Sequence, residues 1–101
     1  MSKRLMVGML LKTPNADPYT QNTYIINDDA VVLIFCVNSG DQGVAFAKAF
    51  ADAGFDRIEM CPEFIADEVE MVKHVVAGRA LVGIVKFCGC KLCSPCLLDR
   101  D

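Results

Sequence analysis

The segment Ala30–Val37 reads Ala-Val-Val-Leu-Ile-Phe-Cys-Val, eight apolar residues without a polar interruption. A strand with one wet face would alternate apolar and polar side chains, and this run does not. It carries the pattern of a central strand buried on both faces, which is the habit of parallel sheets. Parallel neighbours cannot be joined by a tight hairpin, so the rest of the chain has to supply crossovers.

The flanking segments have the required signals. Asn38-Ser39-Gly40-Asp41 follows at once, and Ser39 or Asp41 can cap a helix. That helix is predicted to reach about Ala53, with Phe46, Phe50 and Ala53 on its buried face and Gly54 as a left-handed terminator. Arg57–Cys61 reads as a short strand. A second helix is predicted over about 65–77, with Ile65, Val69, Val72 and Val76 as its apolar stripe and Gly78 ending it. His74 falls on the opposite side of that stripe and is expected to face solvent. Ala80–Phe87 is the last predicted strand and Leu5–Leu11 the first. In between, Asp17-Pro18 has the form of a helix start and predicts a short helix over roughly 18–26, although Thr23-Tyr24-Ile25-Ile26 favours strand.

These elements predict an α/β fold: a single small domain with a four-stranded, mainly parallel sheet and crossover helices, in the order β-x-β-α-β-α-β. The α/β domain is expected over residues 1–87, with residues 88–101 as a cysteine-rich C-terminal tail. Leu5–Leu11 is too short to span a bilayer and lacks a small-residue cleavage site, so it is read as strand rather than signal peptide. With no export signal, the six cysteines are expected to be reduced thiols in a cytoplasmic protein. The net charge of −3, with lysines and arginines scattered, predicts neither nucleic acid nor membrane as a partner. The apolar fraction of 53% exceeds what one small core consumes, which predicts apolar surface and a homo-oligomer, most simply a dimer.

Two motifs and a loop resemble a bacterial family of about this length. They are Ile58-Glu59-Met60-Cys61 followed by Phe64, the strand Val82-Gly83-Ile84-Val85-Lys86-Phe87, and Asn15-Ala16-Asp17-Pro18 near the start. The family is known only as a domain of unknown function, and the resemblance spans roughly residues 4–87. It implies the same α/β fold and no established activity. The family tends to be glycine-rich after the Glu-x-Cys strand, where this chain has Pro62-Glu63.

Ligands of open parallel sheets bind beyond the carboxyl ends of the strands. Those ends carry Lys12, Asn38 with Ser39, Glu59 with Cys61, and Lys86 with Cys88. Glu59 lies inside an apolar strand, where a lone carboxylate is costly, so it is expected to find a partner, with Lys86 the natural one. One reading makes Glu59 a general base or ligand group, Cys61 a nucleophile and Lys86 their cation. The plainer reading is an ion pair and a small buried thiol. Asn38, Ser39, Glu59 and Lys86 are the candidate ligand-binding residues, and Asn38-Ser39 read equally well as ordinary capping.

In the tail, Cys88, Cys90, Cys93 and Cys96 lie within nine residues. Cys90, Cys93 and Cys96 follow the C-x2-C-x2-C spacing of iron–sulfur ligand runs, and four thiolates also suit tetrahedral zinc. Three functional classes therefore stand: a non-catalytic self-associating domain with a small-ligand site at the sheet edge, a thiolate metal-binding protein, and a small enzyme using Glu59, Cys61 and Lys86.

Overall fold

A computed structural model describes residues 3–85. The secondary structure runs β1 (Leu5–Lys12), β2 (Asn22–Ile26), β3 (Ala30–Val37), α1 (Gly40–Asp52), β4 (Arg57–Met60), α2 (Ala66–Val76) and β5 (Leu81–Ile84). One sheet holds all the strands of the described residues, in the order β2-β3-β1-β4-β5. The four predicted strands run parallel to one another, and β1 lies centrally between β3 and β4.

The sheet has a fifth strand that the sequence reading missed. β2 pairs antiparallel with β3, with Thr23 opposite Ile34 and Ile25 opposite Val32. It replaces the helix expected over 18–26. Asp17 does cap, but for one turn only: its carboxylate accepts from the Tyr19 N–H, and its carbonyl from the N–H groups of Thr20 and Gln21. The β-branched residues after Asn22 then take the open edge of β3, so cross-strand pairing overrides the local start signal. A turn over Thr13–Ala16 precedes this, with Pro14 in its second place and Asn15 at φ 67° in its third, the pattern of a type II turn.

The helices begin and end near where the sequence places them. Ser39 is the N-cap of α1, its Oγ accepting from the Gln42 N–H at 3.1 Å. Gly54 follows the helix at φ 86°. The buried face is shifted from the expected one: Ala47, Phe50 and Ala51 are buried, Phe46 is half-buried, and Ala53 is exposed. In α2, Val72 and Val76 are buried and Val69 is half-buried, while Ile65 precedes the helix and is exposed. His74 is exposed, as expected. Arg79 ties the two helix ends together: it donates to the carbonyls of Val75 and Val76 and to the Asp52 carboxylate at 2.7 Å. Arg79 and then Lys48 hold the Asp52 carboxyl below its ordinary pKa.

Among the described residues, the core forms on one side of the sheet only. Leu10, Val37, Ile58 and Met60 pack with Ala47, Phe50 and Ala51 of α1 and with Val72 and Val76 of α2. Both helices therefore lie on one face. Gly8 permits close approach there, because a Cβ on it would stand 2.5 Å from the Phe50 ring. No helix among the described residues is long and apolar enough to cross a membrane.

Candidate functional site

The carboxyl ends of the strands gather a polar cluster, centred on Lys12. Register places Lys12 beside Val37, on the helix side of the sheet, and beyond the last residue of β4. Its ammonium meets both oxygens of Glu68, at 2.8 and 3.0 Å, and sits 5.6 Å from the centre of the Phe64 ring. Glu68 stands in the first turn of α2, and one of its oxygens also accepts from the Ile65 N–H at 3.0 Å. The side chains of Lys12 and Glu68 are each 22% exposed. The Lys12 ammonium, and secondly the Ile65 N–H, hold the Glu68 carboxyl below its ordinary range. Cys61 closes the cluster, its Sγ accepting from the Lys12 N–H at 3.2 Å. The Glu68 carboxylate lies against Gly40, where a Cβ would collide with it, and Phe64 packs in the same way over Gly43.

Lys12 and Glu68 thus neutralise each other at this edge. Asn38 and Ser39 are engaged as well: Asn38 Nδ2 donates to the Ala16 carbonyl, the Asn38 N–H donates to Gln42 Oε1, and Ser39 caps α1. Glu68 was missed by the sequence reading. Its only local signal is an acidic residue three positions after Ile65, the spacing of the reciprocal half of a capping box.

Glu59 lies elsewhere. Its neighbours across the strands are Met9 and Gly83, so it projects from the face opposite the helices. Its partner there is Arg57, at 2.8 Å. Glu59, Arg57, Leu81, Gly83 and Val85 line a shallow depression of about 350 Å³. Cys61, just beyond the last residue of β4, packs against the core cluster and is bonded to Lys12, whereas Glu59 is bonded to Arg57. Lys86 and the tail thiols Cys88, Cys90, Cys93 and Cys96 lie outside the described residues. Among the described residues, no cluster of three or more His, Cys, Asp or Glu is placed to hold a metal.

The larger feature is the sheet face that no helix among the described residues covers. The side chains alternating with the core residues are Leu5, Val7, Met9 and Leu11 of β1, and Val32, Ile34 and Cys36 of β3. None of these belongs to the core cluster. Val7 is only 5% exposed because Val32 and Arg57 flank it in register, not because a helix covers it. Leu81 at the β5 end of the same face is 72% exposed. A second depression of about 410 Å³ opens on this face, floored by Leu11, Ile34 and Cys36 and rimmed by Thr13, Gln21 and Thr23.

Residues 5–91 match one described family, covering every strand and both helices. The chain belongs to DUF6506, a family of unknown function. No curated protein and no solved structure matches it. For DUF6506, then, the reading of function has to come from this geometry.

Proposed function

We propose that this DUF6506 domain is a non-catalytic, self-associating module, and that a second copy of the chain covers its bare sheet face. The observation that carries this is a mismatch between β3 and its surroundings. Its eight residues are all apolar, a pattern suited to burial on both sides, while the two helices among the described residues cover one side only. Stacked sheets pack about 10 Å apart with interdigitated side chains, and Met9, Val32 and Ile34 are the residues that such packing would bury.

A two-fold axis requires the patch to complement itself. Arg57 and Glu59 meet that condition, because they are neighbours of opposite charge on an otherwise apolar face. In a symmetric pair each can approach the other's counterpart without leaving a like charge opposed. The carboxyl-edge cluster supports catalysis less well, since Lys12 and Glu68 neutralise one another. The thiolate metal reading rests on the spacing of Cys88, Cys90, Cys93 and Cys96 alone.

Sedimentation of the full chain across a concentration series tests the proposal. The wild type should sediment above the mass of one chain. Leu81→Glu sets a second carboxylate opposite Arg57, its partner in register, and adds an uncompensated negative charge to this apolar face at an exposed position, so it should leave the fold intact and weaken association about tenfold or more. A wild type that stays a single chain up to millimolar concentration would contradict the reading. So would a Leu81→Glu variant that associates as tightly as the wild type.

A further inference from the structure

The strand β2 is exposed in a way no other element among the described residues is. Every residue from Asn22 to Ile26 is exposed, including Tyr24 at 66%, Ile25 at 55% and Ile26 at 53%. The cause lies in the topology. β2 is the outermost strand and pairs with β3 alone, and the core cluster beneath the helices includes none of its residues. It therefore presents side chains to solvent on both faces and main-chain groups along its edge.

The ladder shows which main-chain groups those are. The Asn27 N–H donates to the Ala30 carbonyl, and the Cys36 N–H donates to the Gln21 carbonyl. In an antiparallel pair the bonded positions alternate, so Thr23 and Ile25 bond inward to β3, and Asn22, Tyr24 and Ile26 turn their N–H and C=O groups outward. Among the described residues, the outward groups of Tyr24 and Ile26 have no main-chain partner. Sheet edges in soluble proteins are normally blunted by lysine, proline, a bulge or a covering element. Asn22-Thr23-Tyr24-Ile25-Ile26 contains neither a charge nor a proline.

We infer that β2 is an assembly edge, and that its occupant is β2 of a second copy, paired antiparallel across a two-fold axis to make one continuous sheet. A second copy fits because a two-fold axis lays a strand antiparallel to itself, and this strand carries no charge to repel its own image. With the axis beside Ile25, Tyr24 of each chain stands opposite Ile26 of the other. These two residues have outward main-chain groups, so each opposed pair exchanges N–H···O bonds. Their side chains make an aromatic-to-β-branched contact of the kind that stabilises cross-strand pairs. Ile25 then meets its own counterpart on the other face. This edge is separate from the sheet face discussed above.

Residue-resolved amide hydrogen exchange on the full chain, at low and high concentration, tests the edge. Association should slow exchange at Tyr24 and Ile26 tenfold or more, while Thr23 and Ile25, already bonded to β3, change little. Stacking through the sheet face alone would leave Tyr24 and Ile26 exchanging at the same rate at both concentrations, and that result would overturn the inference without touching the face proposal. Ile26→Lys, a substitution at an exposed position, should abolish the concentration dependence at Tyr24. Its persistence in that variant would also overturn the pairing. A chain that never associates would sink both.

Discussion

At the scale of single residues, the pair most open to measurement is Lys12 with Glu68. It joins the end of the central strand to the first turn of α2 across 56 positions of sequence. Neither side chain is fully buried, so its worth is that of a partly screened, charge-assisted contact, about 1 kcal/mol. The sign of its pH dependence follows from the depressed Glu68 carboxyl. The unfolded chain binds the proton more readily than the folded one, so the contribution is complete above the ordinary value of 4.5 and fades as pH falls through the lower, folded value. Glu68→Gln should therefore lower stability in urea titrations at pH 7 by about 1 kcal/mol, and the gap to wild type should close on acidification below that ordinary value. A gap that stayed constant down to pH 2 would show that the loss came from somewhere other than the ion pair. Long-range pairs of this kind are the part of the site that could not be read from sequence. Lys12 and Cys61 were legible as strand ends, but nothing local announced that Glu68 would close over them.

At the scale of elements, the chain's apolar runs and its caps agreed with the structure wherever local and tertiary preferences pointed the same way. Ala30–Val37 is β3 from first to last residue, and Ser39 caps α1. Residues 18–26 show the opposite case. Asp17-Pro18 signals a helix start and Thr23–Ile26 signals strand, and a vacant edge on β3 decided between them. Packing contacts were equally hidden: Gly8 looks like a weak point inside an apolar strand, yet it is where the Phe50 ring of α1 lies directly against the sheet. Gly8→Ala would drive a methyl group into the buried Phe50 ring, which has little freedom to move aside. It should cost about 1–3 kcal/mol by thermal or chemical unfolding, whereas the same change at Gly83, with open space above it, should cost far less. Equal losses at the two sites would mean that α1 is not seated as described.

At the scale of the whole molecule, the arrangement of layers matters most. Among the described residues, two helices on one side of a five-stranded sheet leave one face finished and the other unfinished. The apolar excess in the composition suggested such a surface, but composition could not say which surface it would be. Register makes the assignment, because alternation along β1 and β3 sorts their side chains between a core that is closed and a plane that is open. The central claim is that a second copy closes that plane. Isotope-filtered nuclear Overhauser spectroscopy on a mixture of labelled and unlabelled full-length chains tests it most directly. The methyl groups of Met9, Val32 and Ile34 should show contacts to the other copy. Contacts from those methyl groups only to residues of the same chain, or to solvent, would contradict the claim.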